Sequence, residues 1–477
     1  MSLLPTPANI GKEETCSSSA GLYHVETWGC QMNVLDGERM AGQLEAGGLA
    51  AAASSSEADV VILNTCAVRE KAEAKVYSAL GVLGIRKQER PDLVIGVTGC
   101  VAQVEGDEIL ERAPWVDFVL GTGQVESVAE AVRRVRAERR HYTSYELPED
   151  SPVYQFRQIT RGSTFQAYVT VIEGCDQFCT FCIVPFTRGR ERSRASAEIL
   201  EELAALAARG YTEVTLLGQT VNAYRDPHDN FGLGALLRLA SAVPGIRRLR
   251  FLTSHPRLVD DPMIEAMASG APVAPYLHLP AQSGSDRVLY RMKRRYDSAT
   301  YRELAARIRA AVPSVALSSD FIVGFPGETE EDFQATLDLV RQVRFDTLFA
   351  FRYSPRPGTA SARWGSRGEV SGEVSADRLA RLLALQTEIQ EAGNRALEGR
   401  EFEVLIEGLD RKGQARGRTP CNRIVHIETA RPLPAGSYVR ARIRRGLPNS
   451  LLGELVDDAP AGTQKSEASE GAAATWL

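Results

Sequence analysis

From residue 22 to about 140 the chain alternates short apolar runs with amphipathic stretches. LYHVETW (22–28), VVILNT (60–65), DLVIGVTG (92–99) and VDFVLGT (116–122) read as strands. Residues 36–48, 67–88, 105–112 and 124–140 read as helices, the first ended by glycine. Such alternation implies a parallel sheet with helices on its faces. AAAASSS (50–56) reads as an edge loop, and 141–164 shows no period and reads as a connector. A second series follows, with strands at 165–173, 212–217, 247–252, 275–279, 315–323 and 346–352. Helices fall near 196–209, 232–242, 262–269, 285–311 and 329–343. Six βα units predict a partial or closed TIM-like barrel, with its chemistry at the C-terminal ends of the strands. A Gly/Ser/Pro-rich loop (355–375) and a long helix (376–399) lead to four short strands, EFEVLIEGL, IVHIETA, YVRARI and LLGELV. These predict a small antiparallel β-barrel.

The expected fold is therefore α/β, with an open parallel-sheet domain at 21–140, a connector at 141–164, a partial (βα)6 barrel at 165–397 and a small barrel at 398–459. Residues 1–20 and 460–477 are polar or low in complexity and are expected to be a disordered leader and tail. A length of 477 residues suits about three domains. No apolar run approaches the ~20 residues of a membrane span, and the N-terminus lacks the pattern of a secretory signal. A cytoplasmic, multidomain protein is expected.

The net charge of −5 argues against a nucleic-acid partner for the chain as a whole. The charge is segregated, however: residues 411–445 hold ten Lys/Arg against one acid, Glu428. Arginine outnumbers lysine 49 to 7, and its planar fork suits phosphate. The run reads as an RNA footprint, or else as a solvated charged face.

Eight cysteines are present. Grouped cysteines in a reducing compartment point to metal or catalysis. Cys175, Cys179 and Cys182, spaced CxxxCxxC, directly follow the strand QAYVTVIEG. Each thiolate can hold one corner of a [4Fe-4S] cluster. With no fourth cysteine nearby, one iron stays open to chelate the amine and carboxylate of a small ligand. A zinc site, which wants a fourth Cys or His, and a buried structural trio are the other readings. Cys30, Cys66 and Cys100 lie 36 and 34 residues apart, each just past a predicted strand. Parallel strand ends border one crevice, so these three either converge on a second cluster or are ordinary buried cysteines. Cys16 reads as incidental and Cys421 as a packing residue.

CxxxCxxC on the first strand of a βα barrel resembles the radical S-adenosylmethionine superfamily. Leu217-Gly218-Gln219 is similar to its turn that reads the methionine amine, with Gln for the usual Glu; a glycine there also serves backbone geometry alone. Asp320-Phe-Ile-Val-Gly324-Phe-Pro326-Gly-Glu328 resembles its later-strand motif against the adenosine half. Thr27-Trp-Gly-Cys30-Gln-Met-Asn33, Asn64-Thr-Cys66-Ala-Val-Arg-Glu70 and Gly99-Cys100-Val-Ala-Gln103 resemble the three motifs of the methylthiotransferase N-terminal domain. Gly218-Gln-Thr-Val-Asn222-Ala-Tyr224, His278-Leu-Pro-Ala-Gln282-Ser-Gly284-Ser, Met292-Lys-Arg-Arg-Tyr296 and Phe351-Arg-Tyr-Ser-Pro-Arg-Pro-Gly358-Thr match the branch acting on N6-dimethylallyladenosine in tRNA. Thr220 stands where that branch has Asn, a change not expected to alter the chemistry. The C-terminal barrel resembles the TRAM RNA-binding domain.

The resemblance implies two [4Fe-4S] clusters. Cys175, Cys179 and Cys182 would hold the one that cleaves S-adenosylmethionine; Cys30, Cys66 and Cys100 would hold an auxiliary one that carries or donates sulfur. Gly218, Gln219, Gln282, Asp320 and Gly324 would bind S-adenosylmethionine. The reaction implied is methylthiolation at C2 of the dimethylallyladenosine at tRNA position 37, where an inert aromatic C–H demands radical chemistry. Implied partners are that tRNA, an electron donor such as flavodoxin or ferredoxin, and a sulfur source; a monomer is expected, with no membrane association. Arg418, Arg423 and Arg442 of the basic run, with Arg188, Arg194 and Arg294 after barrel strands, are candidate RNA contacts. The last three could equally pair with neighbouring acids. Sister enzymes acting on threonylcarbamoyladenosine or a ribosomal-protein aspartate are the near alternatives. A non-catalytic iron–sulfur RNA-binding sensor is the distant one.

Overall fold

The computed structural model describes residues 21–66, 70–150, 154–429 and 431–456. The expectations for the leader, Cys16 and the tail lie outside them. The first sheet consists of β1 (Leu22–Trp28), β2 (Ala50–Ala51), β3 (Val60–Thr65), β4 (Val94–Gly99), β5 (Phe118–Leu120) and β6 (Tyr142–Ser144). All pairs are parallel, in the order β2-β1-β3-β4-β5-β6. Around it lie α1 (Gln31–Ala46), α2 (Glu70–Glu89), α3 (Cys100–Glu105), α4 (Glu108–Arg112) and α5 (Val128–Glu138). Strands β3 and β4 are buried at every position, as unbroken apolar runs are when helices cover both faces of a sheet. Met40, Leu44 and Val132 pack one face; Val76, Leu80 and Val101 pack the other.

Three details differ from expectation. The edge loop pairs as β2. The start of the connector pairs as β6, where the Tyr142 amide donates to Asp117 O at 2.9 Å. Helix α1 starts at Gln31, so Cys30 is its N-cap residue.

The second domain carries β7 (Gln166–Thr170), a short ribbon of β8 (Ile172–Glu173) and β9 (Arg192–Ser193), then β10 (Glu213–Leu217), β11 (Arg248–Phe251), β12 (Tyr276–His278), β13 (Ala316–Val323) and β14 (Thr347–Arg352). Parallel sheets β11-β10-β7 and β12-β13-β14 meet at a single parallel bridge, Leu249 to Val273, giving an open partial barrel. Its helices are α6 (Val184–Thr187), α7 (Ser196–Ala208), α8 (Leu233–Ser241), α9 (Asp261–Ala268), α10 (Asp286–Arg291), α11 (Ser298–Ala311) and α12 (Glu330–Val343), with α13 (Gly372–Arg395) leading out. The helix expected over 285–311 is two helices. Lys293 and Arg295 take positive φ, and Asp297 caps α11 by accepting from the Thr300 amide at 2.8 Å.

Strands β15 (Glu401–Leu409), β16 (Ala415–Arg418), β17 (Ile424–Glu428), β18 (Tyr438–Gly446) and β19 (Leu451–Leu455) close a small barrel. It is mixed rather than antiparallel throughout, because β17 and β19 run parallel. Strand β16 (ARGR) had no apolar alternation to announce it. Gly417 lies so close to β15 that a Cβ there would sit 2.3 Å from Leu405 O. Arg250 donates to Thr419 O (3.0 Å) and Pro420 O (2.9 Å), and Arg423 ion-pairs with Asp346, so this barrel is docked on the second domain.

Helix α1 seats the first domain on the second. Met32 and Leu35 pack with Leu217 and Ile159. Gly42 meets the chain so closely that a Cβ would fall 1.5 Å from Gln158 O. Within a helix, Gly→Ala normally stabilises by about 1 kcal/mol. Here Gly42→Ala must push α1 off its seat and should cost about 1–3 kcal/mol. Thermal unfolding checks the sign: a higher Tm for the variant would show that this contact does not hold the domains together.

Candidate functional site

Three cysteines of the first domain follow directly on neighbouring strands. Cys30 follows β1 as the cap of α1, Cys66 follows β3, and Cys100 follows β4 as the first residue of α3. A Cβ on Gly29 would lie 2.9 Å from Cys66 Cβ. Gly99 takes φ +88° and lies against Thr65 O, so only glycine allows the sharp turn that delivers Cys100. Wholly buried Asn33 and Asn64 tie the turns together. Asn33 Nδ2 donates to Thr65 O (3.2 Å), Asn64 Nδ2 to Asn33 O (2.7 Å), and the Cys30 thiol to Asn33 Oδ1 (3.2 Å). Burial pushes the Cys100 thiol up, and the guanidinium of Arg188 pulls against it. Motif residues 67–69 lie outside the described residues.

The second set sits on the loop after β8. Gly174, at φ +80°, leaves no room for a side chain beside Arg190 O. The Cys175 amide donates to Gly189 O at 3.1 Å. Cys175 Sγ lies 3.1 Å from Thr220 Oγ1, so the one departure from the family wording touches a candidate ligand. Arg294 Nη1 donates to Cys179 Sγ at 3.5 Å. Burial pushes the Cys182 thiol up to about 12. Phe181 packs edge-on to Phe325, tying the loop to the Gly324-Phe-Pro326 motif. The seven cysteines among the described residues are thiols, not disulfides. A cavity of about 130 Å³ is lined by Val101, next to Cys100, and by Ile183, next to Cys182, together with Arg356 and Pro357. The cavity thus lies against the chain neighbours of one cysteine from each set and is lined by none of the six; among the described residues no three His, Cys, Asp or Glu side chains are grouped closely enough to hold a metal ion.

The candidate S-adenosylmethionine residues fall in two groups. Gly218 and Gln219 lie beside Cys175. A Cβ on Gly218 would strike Ile172 Cγ2 at 2.4 Å, so packing alone requires the glycine. Gln219 Oε1 accepts from the Gly174 amide. On the other half of the barrel, Gln282 bridges β13, its amide donating to Asp320 O (2.8 Å) and its carbonyl accepting from Ile322 N (3.0 Å). Asp320 faces His278 Nε2 at 3.3 Å, and the Gly324 amide donates to Glu328 Oε2 at 2.6 Å.

The arginines expected to meet RNA divide sharply. Arg188, Arg194 and Arg294 are buried. Arg188 pairs with Asp36 (2.7 Å) and Arg194 with Glu202 (2.8 Å); Arg294 serves Cys179 and Pro280 O. Their guanidiniums are spent inside the protein, which corrects the expectation of phosphate contacts at the mouth. Arg190 and Arg192 of the same stretch pair with Asp176 and Glu173. In the small barrel, Arg418 pairs with Glu407 (2.7 Å), Arg423 with Asp346, and exposed Arg442 with Glu401 (2.8 Å). Among the described residues Arg411, Lys412, Arg431 and Arg445 are exposed and form no ion pair. Cys421 lies 3.2 Å from Thr419 Oγ1 in the docked loop.

Family models match in chain order. Residues 22–121 fit the uncharacterized protein family UPF0004, 169–340 the radical SAM superfamily and 395–456 the TRAM domain. The fold and site thus define a radical SAM protein with an RNA-binding-type barrel, and that superfamily implies a [4Fe-4S] cluster and S-adenosylmethionine. The chain is 48% identical over 442 residues to the tRNA-2-methylthio-N(6)-dimethylallyladenosine synthase of Cereibacter sphaeroides, covering 92% of this chain and 99% of the relative. It is 45% identical to the synthase of that name from Geobacter metallireducens (91% and 98% covered) and 42% to that of Desulforamulus reducens (95% and 98%). The chain belongs to this family of tRNA-2-methylthio-N(6)-dimethylallyladenosine synthases. Among solved structures, the radical S-adenosylmethionine methyltransferase TsrM from Kitasatospora setae shares the fold (TM-score 0.51, 14% identity, 72% of this chain and 75% of that one).

His255 forms part of the wall beyond β11. It exchanges two bonds with Asn222, whose Nδ2 donates to His255 O (3.0 Å) and whose Oδ1 accepts from the His255 amide (2.8 Å). Burial first, then Arg294, Arg257 and Arg295, lower its pKa to about 2. The depressed value means the neutral ring contributes its full stability above about pH 6.5, and that contribution is lost as pH falls below it. Between pH 7 and pH 5 the wild type should lose about 2 kcal/mol through this group, at 1.36 kcal/mol per unit. Denaturant titration of wild type and His255→Asn checks this: the variant should lose about 2 kcal/mol less, and equal losses would show that His255 is charged in the fold.

Proposed function

We infer that the protein methylthiolates C2 of N6-dimethylallyladenosine in tRNA, at position 37 beside the anticodon. The observation that carries this is that two sets of three thiols follow strand ends on two domains, which the buried Arg188–Asp36 ion pair joins. Neither has a fourth cysteine nearby in sequence, so each suits a cluster with one open iron. Cys175, Cys179 and Cys182 hold the cluster to which S-adenosylmethionine is bound; Gly218, Gln219, Gln282, Asp320 and Gly324 surround that cofactor. Cys30, Cys66 and Cys100 hold the auxiliary cluster. When bound, the first cluster and its cofactor supply the one-electron chemistry that opens an unreactive C–H bond. The chain itself orients the thiols by glycine turns, places the Arg294 charge on Cys179 and buries Cys100 away from water. An external electron donor such as flavodoxin or ferredoxin, and a sulfur source, complete the reaction. The enzyme works as a cytoplasmic monomer, and no helix among the described residues is long and apolar enough to cross a membrane.

Anaerobic reconstitution should load about eight irons per chain, four per cluster. Replacing Cys175, Cys179 and Cys182 by Ala should leave about half and abolish 5′-deoxyadenosine formation. Cys66→Ala should still release some 5′-deoxyadenosine but yield no methylthio nucleoside, read by mass spectrometry of digested tRNA. A wild-type rate of product from Cys66→Ala would sink the assignment.

Affinity for tRNA comes from phosphate contacts by the small barrel and should fall steeply with salt. Replacing Arg411, Lys412, Arg431 and Arg445 by Ala should flatten the slope of log affinity against log salt by about one per lost contact. Arg423→Ala should lower thermal stability instead, because its partner is Asp346. Unchanged affinity and slope in the fourfold variant would show that the run is only a solvated face.

A further inference from the structure

The stretch Thr187–Arg190 touches both cysteine sets. Its backbone braces the second-domain set: Gly189 O takes the Cys175 amide at 3.1 Å, and Arg190 O packs on Gly174. Its Arg188 side chain runs the other way, into the first domain. There Nη2 donates to Asp36 Oδ2 at 2.7 Å, and the guanidinium lies within electrostatic reach of the Cys100 and Cys30 thiols. Arg188 and Asp36 are 6% and 2% exposed. Thr122 Oγ1 closes the same junction by donating to Thr187 O. A guanidinium is rarely buried without a specific anion to meet. Asp36 is shared between Arg188 (2.7 Å) and Arg39 (3.4 Å), so two guanidiniums meet one carboxylate beside the thiols.

We propose that Arg188 is a positioning residue of the auxiliary site, contributed by the radical SAM domain: held by Asp36, it sets positive charge against the Cys100 and Cys30 thiolates. The auxiliary site is then complete only when the two domains are docked. This rests on the auxiliary-cluster reading. On that reading the three thiols would hold an anionic cluster, and Arg188 would bring it a cation from the second domain. Hydrogen bonds to sulfur and local charge are among the terms that set the potential of an iron–sulfur centre.

The test uses the full chain, reconstituted anaerobically, with the auxiliary centre followed by redox titration under electron paramagnetic resonance. Making the same substitutions in the chain that lacks Cys175, Cys179 and Cys182 removes the other centre and so isolates the auxiliary signal. Arg188→Gln removes the cation and should lower the auxiliary potential by about 59 mV or more, a tenfold change in the reduced-to-oxidised ratio. Asp36→Asn removes the anion that Arg188 and Arg39 share and should shift the potential the opposite way. Arg188→Lys, keeping charge without the fork, should fall between wild type and Arg188→Gln. Opposite shifts in the Gln and Asn variants cannot come from loosened packing, which would move both alike. If Arg188→Gln does not fold, the upward shift in Asp36→Asn still decides. Same-direction shifts, or none, with eight irons loaded would overturn the proposal. A wild type holding only about four irons would instead overturn the auxiliary-cluster reading on which it rests.

Discussion

Parallel pairing of β1, β3 and β4 sets three scattered cysteines just past the ends of neighbouring strands. Thr27 faces Asn64, Asn64 faces Thr98, and Thr65 faces Gly99 across the ladder. Adjacent strands lie about 4.8 Å apart, so the ends of β1 and β4, on either side of β3, are about 10 Å apart. Cys30, Cys66 and Cys100 follow the three ends in turn. Glycine supplies the last adjustment, turning the chain at Gly99 where a side chain would collide with Thr65 O. The same device recurs at Gly174 before Cys175, on an unrelated sheet. In both domains a strand end fixes the place and a glycine fixes the direction.

What joins the two sites is charge buried at the domain junction. Arg39 pairs with Glu126 (2.7 Å) and lies 3.7 Å from Glu173, which also holds Arg192 and Tyr154. The Tyr154 ring is flanked by the guanidiniums of Arg39 and Arg194, at 4.2 and 4.5 Å from its centroid. Burying such pairs costs desolvation that their attraction only roughly offsets, whereas losing one partner costs several kcal/mol. Their effect is accordingly on registry: wrongly docked domains would strand charges. A reaction that passes between two sites needs their separation fixed, and a junction of this kind fixes it more sharply than an apolar one.

The strands were legible because parallel strands buried on both faces are unbroken apolar runs; five of the six barrel strands lie within two residues of their expected ends, and only 165–173 splits into β7 and β8. That the cysteines would follow strands was legible. The partners of the arginines were not. Arg188 and Asp36 are 152 residues apart in sequence, and an Arg-rich stretch with distant partners looks the same as one that awaits phosphate. The break at 292–297 was hidden for a related reason. The apolar period continues through MKRRY, but Arg294 turns inward to Cys179, and the left-handed residues on either side of it carry no sequence signature. Strand β16 was missed because its inner face is Ala415 and Gly417, too small to register as apolar.

The small barrel shows how one basic run can serve two ends. Arg416 and Arg418 share Glu407, Arg440 and Arg442 share Glu401, and Arg423 crosses to Asp346. Acids outside residues 411–445 thus neutralise much of a segment that counts ten bases against one. The side chains left to attract a polyanion are few and lie on exposed turns and strand ends. Arg250 and Arg423 meanwhile anchor the loop between β16 and β17 on the barrel domain. Long-range attraction needs only unpaired surface charge, but presenting one nucleotide to a crevice needs a fixed distance between that charge and the cysteines. The paired arginines are engaged inside the protein and only exposed, unpaired ones remain for a polyanion, so a net-charge count over the segment measures neither.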